Sequence, residues 1–155
     1  MIVRPARWQE QAPLVAMGLR FQATVSAYTW FLPPSPAGVA DLVAYLLELQ
    51  STNADATILV ADQAGVLLGA IALILGLHPV SGHRYADEIA WWIDPEHRGA
   101  LRAGPQLLVA AEDWAQGKGV SMIKMVEPLP SRVGRFYLHH GYRAVETAHV
   151  KVFGG

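Results

Sequence analysis

The sequence predicts an α+β domain in which a central, mostly antiparallel sheet is flanked by helices. Two runs of β-branched and aliphatic residues, 56–61 and 66–77, are separated by the short polar stretch 62–65, a pattern typical of a β-hairpin. Apolar residues recur at helical spacing before and after this hairpin. A chain of 155 residues with 52% apolar and 16% charged residues has the size of one domain. No repeat or linker interrupts it, so a single domain spanning residues 1–155 is expected.

The N-terminal half is predicted to hold two helices. Residues 2–4 form an expected edge strand, and residues 8–23 have helical periodicity, with Pro13 near the helix start, where its missing N–H costs little. A second helix is predicted over 37–51 because its leucines and valines cover a broad apolar face. The aromatic segment between the two helices contains several prolines and is therefore predicted to be a loop that lines a pocket.

The C-terminal half is predicted to alternate strands with helices. Proline ends the strand over 84–93, and glycine ends each of the two helices. The predicted elements are a strand over 84–93, a helix over 105–116, a strand over 121–126, a short helix over 131–140 and a final β segment within 142–153.

Composition excludes several classes of function. The 12 Lys and Arg residues balance 13 Asp and Glu residues, so no net field favours nucleic acid or an anionic membrane. The longest apolar run, 66–77, is too short to cross a bilayer, and the N-terminus does not resemble a secretory signal. The absence of cysteine excludes an acyl-cysteine intermediate. We therefore expect a cytoplasmic protein with neither nucleic acid nor membrane as a partner.

The stretch from Trp91 to Pro105 is the most informative in the chain. It runs from a strand through a glycine-containing turn into a helix. Backbone N–H groups at such a turn, together with the helix N-terminus, are suited to binding phosphate. His97, Arg98 and Arg102 would add local positive charge. The alternative is that the turn is only a tight connection.

A second informative stretch covers residues 135–142. It is a short helix closed by glycine, with Tyr137 four residues before Gly141. A tyrosine at this place can be a functional phenol, and it can equally be an aromatic residue that packs at a helix end.

Together, in this order and separation, the two stretches resemble the GNAT superfamily of acyl-CoA N-acyltransferases. The first matches its pattern of a strand ending in hydrophobic-x-Pro, then x-x-Arg-Gly, and a leucine nine residues after the arginine, here Leu107. The second matches its F-Y-x-x-x-G-F/Y pattern. The resemblance implies a mixed sheet of six to seven strands with about four helices. It also implies that an acyl group, expected to be acetyl, moves from coenzyme A to a primary amine.

A narrower resemblance concerns the pattern E-x-x-W-W-x-x-P-x-x-R-G, followed later by E-x-W-A and G-Y-x-x-x-E. It is similar to a GNAT group often found among phage or prophage proteins. One residue departs from the family pattern, because Leu101 stands where the first glycine of Arg/Gln-x-x-Gly-x-Gly/Ala is expected. By resemblance, the residues expected to bind coenzyme A are Trp91, Ile93, His97, Arg98, Gly99, Ala100, Leu101, Arg102, Ala103 and Gly104.

The implied reaction needs a base and an acid. A protonated amine must lose a proton before it attacks the thioester, and Glu88 on the 84–93 strand is the expected catalytic base, acting through water. Asp87 is the alternate, and a solvated strand carboxylate is the competing interpretation of Glu88. Tyr137 is the expected acid, because the departing thiolate needs a proton. A backbone N–H near Ile93 would stabilise the developing oxyanion. Transfer would be direct, within a ternary complex.

The expected acceptor site is aromatic. Tyr28, Trp30 and Phe31 from the loop, with Trp92 from the strand, would form a pocket with few carboxylates, which disfavours polycationic acceptors. The acceptor is expected to be a small-molecule or peptide amine. The six histidines show no ligand spacing, so no metal is predicted. A homodimer is left open, and the competing function is a catalytically inactive domain that binds acyl-CoA or a partner protein.

Overall fold

The computed structural model describes residues 1–24, 33, 35–97 and 100–153. Short 3-10 turns precede the first and third helices. In chain order the helices and strands are β1 (Ile2–Pro5), α1 (Gln11–Thr24), α2 (Pro36–Thr52), β2 (Ala56–Gln63), β3 (Val66–Leu77), β4 (Arg84–Ile93), α3 (Ala103–Gly117), β5 (Ile123–Lys124) and α4 (Val133–His139).

The strands form one mixed sheet in the order β1-β2-β3-β4-β5. Neighbours are antiparallel except β4 and β5, which are parallel. The predicted hairpin between β2 and β3 is confirmed. Its turn places Ala64 and Gly65 at φ of 54° and 87°, the left-handed conformations that a two-residue hairpin loop requires. Asp62 Oδ1 accepts a hydrogen bond from the Gly65 N–H at 2.7 Å.

Helices cover both faces of the sheet. On one face, α1 and α2 pack with Leu14, Val43 and Leu46 against Ile58 and its neighbours. On the other face, α3 packs with Leu107 and Ala111 against Ile71 and Leu73. The first two helices approach closely at Gly18, where a Cβ atom would lie 2.8 Å from Val39 Cγ1.

The expectation of six to seven strands is wrong, since the described residues form five. The missing element is the final β segment, because residues 142–153 adopt no regular structure. The strand they would join, β5, has only two ladder residues and offers little edge for pairing. The predicted count of about four helices is confirmed, since the described residues form four. No helix among the described residues is long and apolar enough to cross a membrane.

Strand β4 carries an irregularity that decides which side chains meet. Ala90 pairs with Ala72, and Glu88 pairs with the next residue of β3, Leu73. Ile89 is therefore an extra residue, which makes this position a β-bulge. A bulge reverses the alternation of side chains along its strand, so the residues on either side of it cannot be assigned to faces by simple parity.

Candidate functional site

The sheet opens between β4 and β5. The two strands pair only where Ala86 and Asp87 lie opposite Ile123 and Lys124. Beyond that point, the edge of β4 from Glu88 to Ile93 has no strand partner among the described residues on the β5 side. Such an edge presents free backbone N–H and C=O groups, which can pair with an extended ligand as an added strand would.

The bulge places two of the expected site residues on one face. Glu88 pairs with Leu73 and Trp91 pairs with Ile71, and both partners belong to the core beneath α3. Three residues apart on a regular strand, Glu88 and Trp91 would face opposite sides. The extra residue at Ile89 therefore brings the carboxylate to the same side as the Trp91 ring.

The Glu88 carboxylate lies in the opening. Its Oε2 accepts a hydrogen bond from the backbone N–H of Val126 at 2.8 Å. Burial raises the pKa of Glu88 to about 7, and the negative charge of the neighbouring Asp87 also raises it. The hydrogen bond from the Val126 N–H lowers this pKa, but by less than burial raises it. A carboxyl group with this pKa can both take and release a proton near neutral pH.

Asp87, the alternate base, is differently placed. It pairs with Ile74, on the face covered by α1 and α2. Its Oδ1 lies 3.6 Å from Lys124 Nζ, at the last position where β4 and β5 pair. The ion pair with Lys124 engages this carboxylate on the opposite face from Glu88.

Tyr137 reaches the same opening from α4. Its side chain is buried, and its hydroxyl donates a hydrogen bond to the Val126 carbonyl at 3.2 Å. Its ring lies 5.7 Å from that of Trp91. Burial and the nearby negative charge of Glu88 raise the pKa of Tyr137 above its ordinary value. The carboxylate and the phenol thus bind the N–H and the C=O of one residue.

The expected phosphate turn is described in part. Arg98 and Gly99 lie outside the described residues. Ala100, Ala103 and Gly104 are buried, and the last packs near Trp91, where an added Cβ would lie 3.6 Å from its ring. Leu101 is 92% exposed, so its side chain does not fill the protein side of the turn. Arg102 is also exposed and precedes α3, where its charge and the helix dipole act on the same space.

The two tryptophans of β4 face opposite sides, as their adjacent positions predict. Trp91 and Ile93 pack on the α3 side, while Trp92 lies 5.6 Å from Phe21 of α1, measured between ring centroids. Trp92 also lines a cavity of about 500 Å³ between α1, α2 and the sheet. The other residues expected to bind the acceptor, Tyr28, Trp30 and Phe31, lie outside the described residues.

The sequence pattern of the Acetyltransferase (GNAT) family matches residues 24–142, which is most of the chain. The chain belongs to this family. A comparison with curated protein sequences found no match.

Solved acetyltransferase structures share the GNAT fold with this chain at low sequence identity. A putative acetyl transferase from Pyrococcus furiosus has a TM-score of 0.74 and 18% identity, covering 98% of this chain and 99% of its own. A ribosomal-protein-alanine N-acetyltransferase from Brucella melitensis biovar Abortus 2308 has a TM-score of 0.70 and 18% identity, covering 99% and 100%. A predicted acetyltransferase with acetyl-CoA from Clostridium acetobutylicum has a TM-score of 0.74 and 17% identity, covering 97% and 95%.

Sequence reasoning missed one contact near the expected phosphate turn. Asp94, fully buried at the end of β4, accepts hydrogen bonds from Arg20 of α1 at 2.7 Å and from the Glu96 N–H at 3.1 Å. Burial alone would raise the pKa of Asp94, but these two donors outweigh it and lower the pKa. The ion pair between Arg20 and Asp94 connects α1 to the start of the turn. No local signal marks it, because the partners are 74 residues apart.

No group of three His, Asp or Glu side chains in the described part of this GNAT chain is placed to hold a metal ion.

Proposed function

We propose that this chain is an N-acyltransferase that moves the acetyl group of acetyl-CoA to a primary amine by direct attack within a ternary complex. The observation that carries the proposal is the meeting of Glu88 and Tyr137 at Val126, inside the opening between β4 and β5. One group suited to accept a proton and one suited to donate it flank a single free strand edge.

The opening and the start of α3 would bind the two ends of coenzyme A. The pantetheine arm would pair with the free edge of β4 near Trp91 and Ile93. The pyrophosphate would lie at the start of α3, where the helix dipole and the exposed Arg102 favour an anion. Ala103 and Gly104 support this placement, because both are buried and the small methyl group of the first and the missing side chain of the second let the helix start approach the sheet.

The proton steps follow from the two side chains. Glu88 accepts a proton from the ammonium group of the acceptor, directly or through water, and leaves a neutral amine. The amine nitrogen bonds to the thioester carbonyl carbon, the carbon–sulfur bond breaks, and the thiolate takes the hydroxyl proton of Tyr137. The nitrogen then loses its second proton, which restores the Tyr137 phenol and leaves a neutral amide. Because Glu88 is then neutral, the negative charge that helped to raise the pKa of Tyr137 is gone, and the phenol is a better acid at the step that needs it.

Direct transfer is the simplest route for this chain. It contains no cysteine that could carry the acyl group between donor and acceptor. We place the reaction in the cytoplasm because coenzyme A thioesters are abundant there. The phage association stays a prediction from the sequence motifs.

A binding test comes first. Saturating acetyl-CoA should raise the melting temperature and give a calorimetric binding isotherm with one site. Unchanged melting and no heat of binding would remove coenzyme A from the proposal.

A turnover test separates the enzyme from the inactive binding domain. Release of free thiol from acetyl-CoA, measured with a panel of alkylamines, aromatic amines, amino acids and peptides, should depend on the amine. Binding of acetyl-CoA without amine-dependent thiol release would favour the inactive domain.

A further inference from the structure

The cavity between α1, α2 and the sheet is large enough for a small molecule. Its volume is about 500 Å³, within the range of ligand pockets in proteins. Met17 and Phe21 of α1 and Val39 and Leu42 of α2 form its walls. All four side chains are apolar, so the cavity favours a ligand body made of hydrocarbon.

The cavity is lined by residues of β4 that follow the proposed catalytic base in the chain. Its floor includes Ile89, Ala90 and Trp92 of β4. The first two follow Glu88 directly in the chain, and the bulge at Ile89 turns them toward the α1 and α2 side while Glu88 faces the other. The cavity and the Glu88 carboxylate therefore lie on opposite faces of β4. The amine end of a ligand held in the cavity would reach the base past the edge of β4 between Glu88 and Ile93, which has no strand partner on the β5 side among the described residues.

The cavity offers nothing to a second charge. Its described lining contains no acidic, basic or histidine side chain, and its polar side-chain groups are those of Gln22 and Ser35 and the indole N–H of Trp92. A second ammonium group placed there would lose its hydration without gaining a counter-charge, at a large free-energy cost. This selects against diamines, polyamines and aminoglycosides.

Two apolar side chains at the cavity are exposed to water. Leu42 is 41% exposed and Ile89 is 38% exposed. A ligand with an apolar body would remove both from water, which adds to its affinity.

We propose that the acceptor is a primary monoamine whose alkyl or aromatic body fills this cavity. The inference rests on the proposed function, because it names the acceptor of that reaction.

A chain-length series tests the inference. With acetyl-CoA as donor, kcat/KM for thiol release should rise about fourfold per added methylene from propylamine to hexylamine, the factor expected when each methylene leaves water. Diamines of equal length should be poorer acceptors than the monoamines. A flat series, or a preference for diamines, would overturn the proposal.

A matched pair of variants tests whether the dependence of kcat/KM on amine chain length arises in the cavity. Leu42→Asp places a carboxylate at the cavity, whereas Tyr45→Asp places one at a 52% exposed position of the same helix that does not line it. Leu42→Asp should lower kcat/KM for hexylamine roughly tenfold or more while leaving propylamine and acetyl-CoA affinity little changed. Tyr45→Asp should leave the whole series as in the wild type. Equal losses in both variants would contradict the placement.

The acyl chain is the competing occupant. If the cavity held it, Leu42→Asp would selectively impair hexanoyl-CoA relative to acetyl-CoA, and the amine series would be unaffected. That result would overturn the inference and leave the acyltransferase intact.

If the proposed function is wrong, no amine will cause release of thiol from acetyl-CoA. In that case calorimetry of hexylamine and propylamine with the acetyl-CoA-loaded protein still tests the cavity. Tighter hexylamine binding that Leu42→Asp abolishes would support an apolar amine site, and equal binding of both amines would refute it.

Discussion

At the scale of single residues, the main chain of Val126 joins the two side chains of the candidate site. Val126 donates its N–H to Glu88 and accepts the Tyr137 hydroxyl through its C=O. These two hydrogen bonds orient both side chains at the opening between β4 and β5. Loss of either side chain should therefore affect proton transfer more than folding.

The Glu88→Gln variant should show its largest rate deficit between about pH 7 and pH 10. Below about 7 the wild-type carboxyl is itself protonated, and above about 10 the free amine is abundant, so the base matters most between these limits. The measurement is kcat/KM against pH for both proteins. Parallel profiles over the whole range would remove Glu88 from the mechanism.

The same variant should be more stable than the wild type at alkaline pH. The pKa of Glu88 in the folded protein, about 7, is above its ordinary value of 4.5. The folded state therefore binds the proton more tightly, and stability present below about pH 4.5 is lost as pH rises to 7. Near pH 8, Glu88→Gln should gain roughly 1–3 kcal/mol in the free energy of unfolding. Urea unfolding near pH 4 should show no such gain.

The Tyr137→Phe variant should keep its packing and lose rate. The ring stays against Trp91 while only the hydroxyl is deleted, so kcat should fall roughly tenfold to a thousandfold with little change in melting temperature. An acyl donor with a more acidic thiol should shrink the deficit, because that thiolate leaves without a proton.

Tyr142→Phe is the matched control. Its ring is 5.6 Å from that of Tyr137, but its hydroxyl donates to Glu112 of α3 at 2.9 Å instead of reaching the opening. The control should retain near wild-type kcat. If Tyr137→Phe lowers kcat equally with acetyl-CoA and with the donor that has the more acidic thiol, the phenol positions the substrate and does not donate a proton.

At the scale of elements, β4 positions the site through its register with β3. Gly69 lies opposite Ile93, and a Cβ added there would lie 2.7 Å from the Trp92 carbonyl oxygen and 2.9 Å from Ile93 Cδ1. The first contact is with backbone, so it can be relieved only if the end of β4 moves. This end carries the edge proposed to pair with pantetheine.

Gly69→Ala should therefore destabilise the protein by about 1–3 kcal/mol and weaken acetyl-CoA binding. Gly117→Ala makes the same chemical change at the last residue of α3, where no atom lies within 4 Å of the added Cβ. It should be neutral or stabilising. Thermal unfolding and acetyl-CoA calorimetry of both variants test this, and equal behaviour would show that the close approach at Gly69 does not hold β4 in place.

At the scale of the whole molecule, residues 142–153 leave apolar side chains in water. Val145 is 83% and Phe153 is 81% exposed, although the segment is anchored at Tyr142 and by Glu146, whose Oε1 lies 3.6 Å from Lys124 Nζ. The adjacent β5 is the last strand of the described sheet. We propose that these exposed apolar side chains pack against a second copy of the chain, because burial would remove them from water.

The wild-type protein should therefore have the mass of a homodimer in light scattering. The double change Val145→Asp and Phe153→Asp should shift the mass to that of a monomer. Val80→Asp, at a 90% exposed position in the connection between β3 and β4, should leave the dimer intact. A monomeric wild type would contradict the prediction.

Local patterns in the sequence were sufficient to predict most of the elements. Helical periodicity, the hairpin signal at residues 62–65 and the glycine and proline stops predict all four helices and the first four strands to within a few residues. The two motifs also led to the family, which the match over residues 24–142 confirms. These inferences succeed because each depends on residues that are close in the chain. The reacting roles of Glu88 and Tyr137 stay predictions.

The tertiary structure alone decided how those parts meet. The bulge at Ile89 set the face of Glu88, Val126 joined the Glu88 carboxylate to the Tyr137 phenol, and Arg20 reached Asp94 across 74 positions. It also left residues 142–153 outside the sheet, although a final β segment was predicted within them. Such outcomes depend on which backbone groups find partners across the fold, and a local pattern does not determine the register or extent of that pairing.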